Sequence, residues 1–357
     1  MRSRKLSALH TVLSATKLLQ TLAVVVAIAV AYLFWSWNHA LHPGSANYIV
    51  KAGTGFNALA AELERRGTLL ETRSFVLLGY ATVGKREIKS GEYRFRDGMN
   101  AREILEQVAA GRVVEYPLRF VEGWTFRQLL DEMAKAPNLA HTLKGKSHAE
   151  IMTELGAPGL HPEGRFYPDT YFYASGQSDL VILRRAYERM QARLQREWEN
   201  RDADLPLRSA DEALVLASII EKETARSEER QLIAGVFINR LNKRIRLGTD
   251  PTVIYGLGEK FDGNLRKKDL LTDTPYNTYT RHGLPPTPIA LPGGESVYAA
   301  VHPEKTQALY FVSRGNGSHE FSDSLEAHNR AVSKYQLGGR PFPALPAASP
   351  AGTPKAQ

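Results

Sequence analysis

The chain of 357 residues contains no cysteine. Disulfides and thiolate chemistry are therefore excluded, an absence that fits any compartment. It also lacks an HExxH pair, a P-loop and a GxGxxG turn. Neither a metal nor a nucleotide cofactor is expected. Charge of one sign is in only modest excess. Of the formal +8, four charges belong to Arg2, Arg4, Lys5 and Lys17, leaving +4 for everything that follows. That remainder does not call for nucleic acid, and it suits an anionic cell-wall polymer or a membrane surface equally well.

Between Leu18 and Trp37 there is no charged residue at all. About 20 apolar residues at about 1.5 Å each span a hydrocarbon core of about 30 Å. Tyr32, Trp35 and Trp37 stand at the far end, as an interfacial aromatic belt does. The basic flank precedes the run, so residues 1–17 are expected in the cytoplasm, residues 18–38 in the membrane, and the rest outside. A cleaved signal peptide is the competing reading. The apolar run is long for one, and no clean small-residue cleavage site follows it.

Hydrophobic residues at 43% and charged residues at 24% are globular values, and the length suits two or three domains. After a short linker, 39–46, the pattern strand, glycine turn, helix occurs three times. It runs through Tyr48–Val50 and Phe56–Arg66, then Glu92–Phe95 and Ala101–Ala110, then Tyr116–Val121 and Thr125–Lys135. Thr125 is placed to cap the last helix. Around Tyr48, Val50, Gly53 and the Leu59-Ala60 pair, the first copy resembles a LysM module. Such a βααβ domain binds N-acetylglucosamine polysaccharides; a packing domain that only positions the rest is the alternative.

Residues 155–173 form an irregular Pro- and Gly-rich loop. Five aromatics fall there within eight residues: Phe166, Tyr167, Tyr171, Phe172 and Tyr173. They serve either as a plug beneath the loop or as platforms for sugar rings. Ser178–Asn200 reads as a helix with a solvated arginine face, Arg184, Arg185, Arg189, Arg193 and Arg196. Glu228–Lys243 reads as amphipathic, with Leu232, Ile233, Val236, Phe237 and Leu241 in one stripe and Asn239 and Arg240 off it. Asp250 is expected to cap a helix that opens at Pro251, a second catalytic carboxylate being the alternative. Pro-locked loops follow at 274–279 and 283–289, then a strand at 309–312, a turn at Asn316-Gly317, a strand at 319–321, a helix over Ser324–Gln336, and a Pro/Ala tail from 341 to 357 expected to be disordered.

The helix ALVLASIIEKETA, Ala213–Ala225, is apolar almost all round, as a buried helix is. It nevertheless carries Glu221 and Glu223. At about 100° per residue, Glu221 shares a face with Leu214, Ala217, Ser218 and Ala225, mostly small residues that leave room for a cleft, while Glu223 points nearly opposite. A carboxyl desolvated on such a wall has a raised pKa and becomes a general acid. The alternative is a structural ion-pair member, the commoner fate of a half-buried acid.

Seven stretches then point one way: EGRFYPDTY (163–171), LASIIEKET (216–224), VFINRL (236–241), TDPTVIYG (249–256), TPYNTY (274–279), GLPPTPIALPG (283–293) and LYFVSRGNGSHEFS (309–322). In order and spacing they resemble the YceG-like family of membrane-anchored endolytic lytic transglycosylases of bacterial peptidoglycan. The resemblance covers about residues 45–340. It implies an α+β fold with one N-terminal transmembrane helix, a LysM-like small domain at 47–114 and a mixed α+β catalytic domain at 115–340. It implies Glu221 as the catalytic glutamate, acting first as acid and then as base. Ser218, Glu223, Asn239, Thr249, Asp250, Thr252, Tyr276, Asn277 and Tyr279, in the matching stretches, are candidates to bind substrate. It further implies peptidoglycan glycan strands as substrate, no metal, a single-pass protein of the bacterial plasma (inner) membrane with its catalytic domain periplasmic, and contact with polymerising peptidoglycan synthases. A non-catalytic peptidoglycan-binding scaffold is the alternative.

Overall fold

The structure, a computed structural model, describes residues 2–44, 46–84 and 88–340. The tail at 341–357 lies outside the described residues. The chain opens with α1, Arg2–Asn38. Within it, Thr16–Asn38 is apolar and long enough to cross a membrane, and its window is unburied by protein.

Beyond α1 the described chain divides into two compact units. The first runs through Tyr116 and takes back Asn138–Ala140 and Phe172–Gln177; the second holds Pro117–Pro137, His141–Tyr171 and the chain from Ser178. The first unit carries β1 (Tyr48–Val50), α2 (Phe56–Arg65), α3 (Thr72–Thr82), β2 (Gly91–Tyr93) and α4 (Ala101–Ala110). Its order is strand, helix, helix, strand, with β1 antiparallel to β2 and Tyr48 opposite Tyr93. The second helix of that order, α3, is missing from the strand–turn–helix reading; Glu71 caps it by accepting the Arg73 and Ser74 N–H groups. Local signals do set α4: Asn100 and Glu103 close a capping box, and Gly111 ends the helix at φ 71°. Tyr48, Phe56, Leu59, Leu63, Phe75, Leu78, Tyr93, Phe95 and Ile104 fill one core. The chain just after α1 is tied to the first unit at Leu41. Leu41 is buried in this core, its N–H bonds the Met99 carbonyl at 2.8 Å and its carbonyl takes the Gly98 N–H at 2.9 Å.

The chain passes through β3 (Glu115–Arg119), α5 (Phe126–Lys135), α6 (His148–Glu154) and β4 (Thr170–Ala174), β3 pairing with β4. Thr125 caps α5 as expected, with Gln128 completing the box. The aromatic run splits between roles. Phe166 stacks on Phe126 at 4.9 Å and Phe120 packs on Tyr171 at 5.1 Å in the second unit, while Tyr173 packs on Tyr116 at 5.7 Å in the first. Tyr167 is half-buried and Phe172 exposed, so part of the run is a plug.

The second unit is built around α8 (Ala210–Glu223), flanked by α7 (Asp179–Glu199) and α9 (Ser227–Asn242). Every α8 residue from Ala213 to Ile220 is buried. Then come α10 (Asp250–Leu257), α11 (Lys267–Leu271), α12 (Gly294–Val301), β5 (Tyr310–Ser313), β6 (His319–Ser322) and α13 (Leu325–Tyr335). Strands β5 and β6 pair antiparallel. In β5 only Val312 is buried, so the expected core strand is one side of an open hairpin.

Three expectations need correction. The α7 arginines are not a merely solvated face: Arg184 donates to the Glu154 carbonyl at 2.6 Å, Arg189 pairs with Asp169 at 2.5 Å, and Arg193 pairs with the buried Glu197 at 2.8 Å. Arg184 and Arg189 thereby hold the end of α6 and the irregular loop, while Arg193 with Glu197 is an i,i+4 pair as expected on such a face, and Arg193 also donates to the Gly294 carbonyl at 2.9 Å. Helix α9 is buried on all sides from Ile233 to Ile238 rather than along one stripe. Gly235 allows this, because the Glu304 carbonyl lies where a Cβ would project. At α10, Thr249 rather than Asp250 holds the cap position, with no side-chain cap bond. Both side chains are drawn elsewhere.

Candidate active site

Helix α8 presents two glutamates to two environments. Glu221 faces the small-residue wall expected to be a cleft, but α12 packs on that wall: Ala217, Val297, Ala299 and Ala300 share one core. Small residues let two helices approach closely, so the space is filled. The Glu221 carboxylate accepts the Gly293 N–H at 2.9 Å and the hydroxyl of fully buried Ser296 at 2.7 Å. It thus sits at the N-terminal turn of α12, where a negative charge is favoured. Arg230 approaches its other oxygen at 3.5 Å, and the Glu221 side chain is only 6% exposed. Glu122 lies 3.9 Å from the same guanidinium, its carboxyl filling the space a Cβ on Gly293 would need. Burial first, and then the neighbouring Glu221, push the Glu122 carboxyl above its usual range.

Glu223 ends α8 two residues later and faces a cavity of about 640 Å³. Arg240, Arg246, Thr249, Asp250, Tyr279, Tyr310, His319 and His328 also line it. Burial holds the Glu223 carboxyl above its ordinary pKa; the Thr249 hydroxyl, which donates to it, pulls the other way, and Asp250 adds to the rise. Asp250 is exposed and accepts the Tyr279 hydroxyl at 2.6 Å. The Tyr279 phenol is itself pushed up, mainly by burial and then by that bond. Arg240 crosses beneath, donating to the Leu309 carbonyl at 2.6 Å and to the Leu247 carbonyl. His319 is held by Glu229, which takes its ring N–H side at 2.7 Å and its backbone N–H at 3.0 Å.

Four other sequence candidates turn out to hold the walls together. Ser218 is buried, donates to Val215 and accepts the Ile289 N–H at 3.0 Å. Asn239 ties α9 to the Thr306 and Ala308 carbonyls. Thr252 is buried, bonding the Thr249 carbonyl and the Thr278 hydroxyl. Asn277 is fully buried, donates to the Asp269, Leu270 and Thr272 carbonyls, and accepts the Tyr279 N–H. Tyr276 bonds Thr287 at 2.8 Å and packs edge-on against Tyr255. Of the residues put forward from sequence, Glu223, Thr249, Asp250 and Tyr279 meet at the cavity. Arg240, Tyr310, His319 and His328 join them; the HEF segment and the NRL end of α9 were the available signals. Depressions of about 710 and 720 Å³ flank Glu304–Gln307. Their carboxylates Asp202, Asp204, Glu304 and Asp323 are exposed, and the half-buried Glu320 is paired with Arg314 at 2.6 Å.

Comparison with known proteins sets this geometry in context. The sequence model described as "YceG-like family" matches residues 48–334. The chain belongs to the YceG-like family. An endolytic murein transglycosylase of Bacillus subtilis is 30% identical over 308 residues, covering 82% of this chain and 85% of the relative. One from Streptococcus pneumoniae is 25% identical over 80% of this chain, which spans 57% of that longer relative. Among solved structures, a crystal structure of a yceG-like protein from Listeria monocytogenes matches with TM-score 0.51 and 31% identity, covering 81% of this chain and 99% of that one. Within the YceG-like frame, both α8 glutamates and the cavity lie inside the matched region.

Proposed function

We propose that this chain is a membrane-anchored endolytic lytic transglycosylase that cleaves the β-1,4 bond between N-acetylmuramic acid and N-acetylglucosamine in peptidoglycan, with Glu223 rather than Glu221 as its acid–base. The observation carrying this is the shielded Glu223 carboxyl opening onto a cavity edged by Tyr279 and Asp250. Membership of the YceG-like family, and relatives named for this activity, support the reaction class.

Protonated Glu223 gives its proton to the glycosidic oxygen as the C1–O bond breaks. The carboxylate left behind takes the proton of the muramic C6 hydroxyl, whose oxygen closes on C1 to form the 1,6-anhydro end. The attacking oxygen is the substrate's own, so a second enzyme carboxylate is not needed, unlike the common two-carboxylate glycosidase. Burial suits Glu223 to this work because it keeps a carboxyl protonated closer to neutral pH. Glu221 is engaged elsewhere: its carboxylate accepts the Gly293 N–H and the Ser296 hydroxyl and faces Arg230. Asp250 orients the Tyr279 hydroxyl at the cavity edge, and Thr249 does the same for the Glu223 carboxyl.

In this reading α1 is a single-pass anchor in the bacterial plasma membrane with residues 1–17 cytoplasmic and the remainder outside. The βααβ order of residues 47–114 supports a LysM-like module that holds glycan, and 115–340 forms the catalytic domain. Cutting nascent strands beside the membrane brings the protein into contact with the synthases that extend them.

The test is digestion of peptidoglycan by the full chain in detergent, with products read by mass spectrometry. Wild type and E221Q are expected to yield anhydro-muropeptides per folded molecule, and E223Q none. Loss in E221Q with retention in E223Q would return the acid to Glu221. Products one water heavier would make the enzyme a hydrolase, undiminished activity of both variants would place the acid at another residue, and no product from wild type would leave only a wall-binding scaffold.

A further inference from the structure

The first unit contacts α1 at a telling level. The Trp37 indole N–H donates to the Ser74 carbonyl at 2.9 Å, and the Tyr32 hydroxyl bonds Glu71. Glu71 is the N-cap of α3. The start of α3 is therefore fastened alongside a stretch of α1 from Tyr32 to Trp37, about 7.5 Å of helix, where the apolar run ends in its aromatic residues. Just there the unit leaves large apolar side chains uncovered: Leu70 is 77% exposed, Leu77 49% and Tyr80 58%. Arg73, Leu77 and Tyr80 follow each other at spacings of four and three, so they share one face of α3; Leu70 stands two residues before the helix. The opposite face, Phe75, Leu78 and Gly79, is buried. An apolar helix face bearing an arginine and an aromatic hydroxyl is the composition of a segment lying in a lipid headgroup region.

We infer that Leu70 and the Arg73–Leu77–Tyr80 face of α3 rest in the outer interfacial layer of the bilayer that α1 crosses, so that the first unit is seated on lipid as well as anchored through it. The inference rests on the reading of α1 as a membrane span. Continuity with that span selects lipid over a protein partner: the face begins at the residues bonded to Tyr32 and Trp37, and a bilayer around α1 reaches them without any further component. Arg73 would meet phosphate oxygens, while Leu70 and Leu77 would enter the acyl boundary.

The absence of cysteine makes the test direct. The full chain, in nanodiscs of phosphatidylcholine with and without phosphatidylglycerol, carries one introduced cysteine at a time, labelled with an environment-sensitive fluorophore: Ile28→Cys in α1, Leu70→Cys and Leu77→Cys on the face, and Glu64→Cys on exposed α2 as control. Nitroxide-bearing lipids and aqueous iodide then serve as quenchers. The expected result is strong quenching of the Ile28 label by deep nitroxides, at least twofold quenching of the Leu70 and Leu77 labels by shallow nitroxides with blue-shifted emission, and quenching of the Glu64 label by iodide alone. Labels at Leu70 and Leu77 that respond only to iodide, with Ile28 quenched by lipid, would overturn the seating and leave the anchor intact. An Ile28 label untouched by lipid nitroxides would overturn both. Labels at Leu70 and Leu77 protected from both quenchers would mean that a protein, or a second copy of the chain, covers the face in place of lipid.

Discussion

The two ends of one helical turn on α8 differ more than their sequence suggests. On one side Glu221 is met by a helix N-terminus, a buried hydroxyl and a guanidinium. On the other, Glu223 meets one donating hydroxyl and burial at the edge of open space, with Asp250, His319 and Arg240 as charged neighbours. Donors that favour the charged form make a carboxylate a good fastener and a poor proton source. Desolvation with few donors does the reverse. Two residues of the same type, separated only by Lys222, thereby meet different surroundings, and the proposed division of roles rests on that difference.

The largest way to break this contrast is E223Q. Anhydro-product formation should fall by about 10²–10⁴-fold, the usual worth of acid–base catalysis, with the melting temperature unchanged or raised, because a buried amide is less costly than a buried carboxyl. Second in size is E221Q. Leaving Arg230 without its partner in a buried setting should cost about 3–5 kcal/mol in urea unfolding, while turnover per folded molecule persists; a stable but dead E221Q would reverse the assignment of roles.

A third glutamate sharpens the comparison. Glu163 is buried, accepts the Phe126 N–H at 2.8 Å and the Tyr255 hydroxyl at 3.0 Å, and burial raises its pKa to about 7. The folded protein therefore holds this proton where the unfolded chain has lost it. Stability must fall as pH rises from about 4.5 to about 7 and stay level above that, by about 3 kcal/mol at most. E163Q should remove that fall from pH-dependent urea titrations and keep anhydro-product formation, because a raised pKa outside the cavity does no chemistry. The smallest effect expected is that of T249V. Without the hydroxyl that steadies its charged form, Glu223 should titrate higher, and the alkaline limb of the rate profile should move up. A downward shift would mean that the limb belongs to another group.

What the sequence made legible was local. Thr125 before FRQ is a capping pattern that depends on a few neighbouring residues, and it caps α5 as expected; Asn100 and Ser178 cap α4 and α7 by the same kind of local bond. The cavity is assembled otherwise. Glu223, Thr249, Tyr279 and His319 come from segments tens of residues apart, and no period in the chain announces their meeting. The decisive omission was α12. Its opening Gly293-Gly294 reads as loop, so the small face of α8 looked vacant when it was in fact reserved for another helix. With α12 in place, the small-residue face of α8 is a contact surface, and Glu223, on the side counted as core, reaches the cavity because α8 ends there and the chain turns away through Thr224 toward α9. Asn277 and Asn239 were misread for a related reason: an amide suited to a sugar is equally suited to a row of backbone carbonyls, and only the fold tells which it meets.

The strap between α1 and β1 carries one last implication. Many surface enzymes hang from a slack leash and sweep out a broad volume, so that each encounter must first find its direction. Here Leu41 is stitched to Gly98 and Met99 within a few residues of the end of α1. The first unit thus turns as the helix turns, and in the anchored protein proposed above its bearing relative to the plane of the lipid would be settled before any glycan arrived.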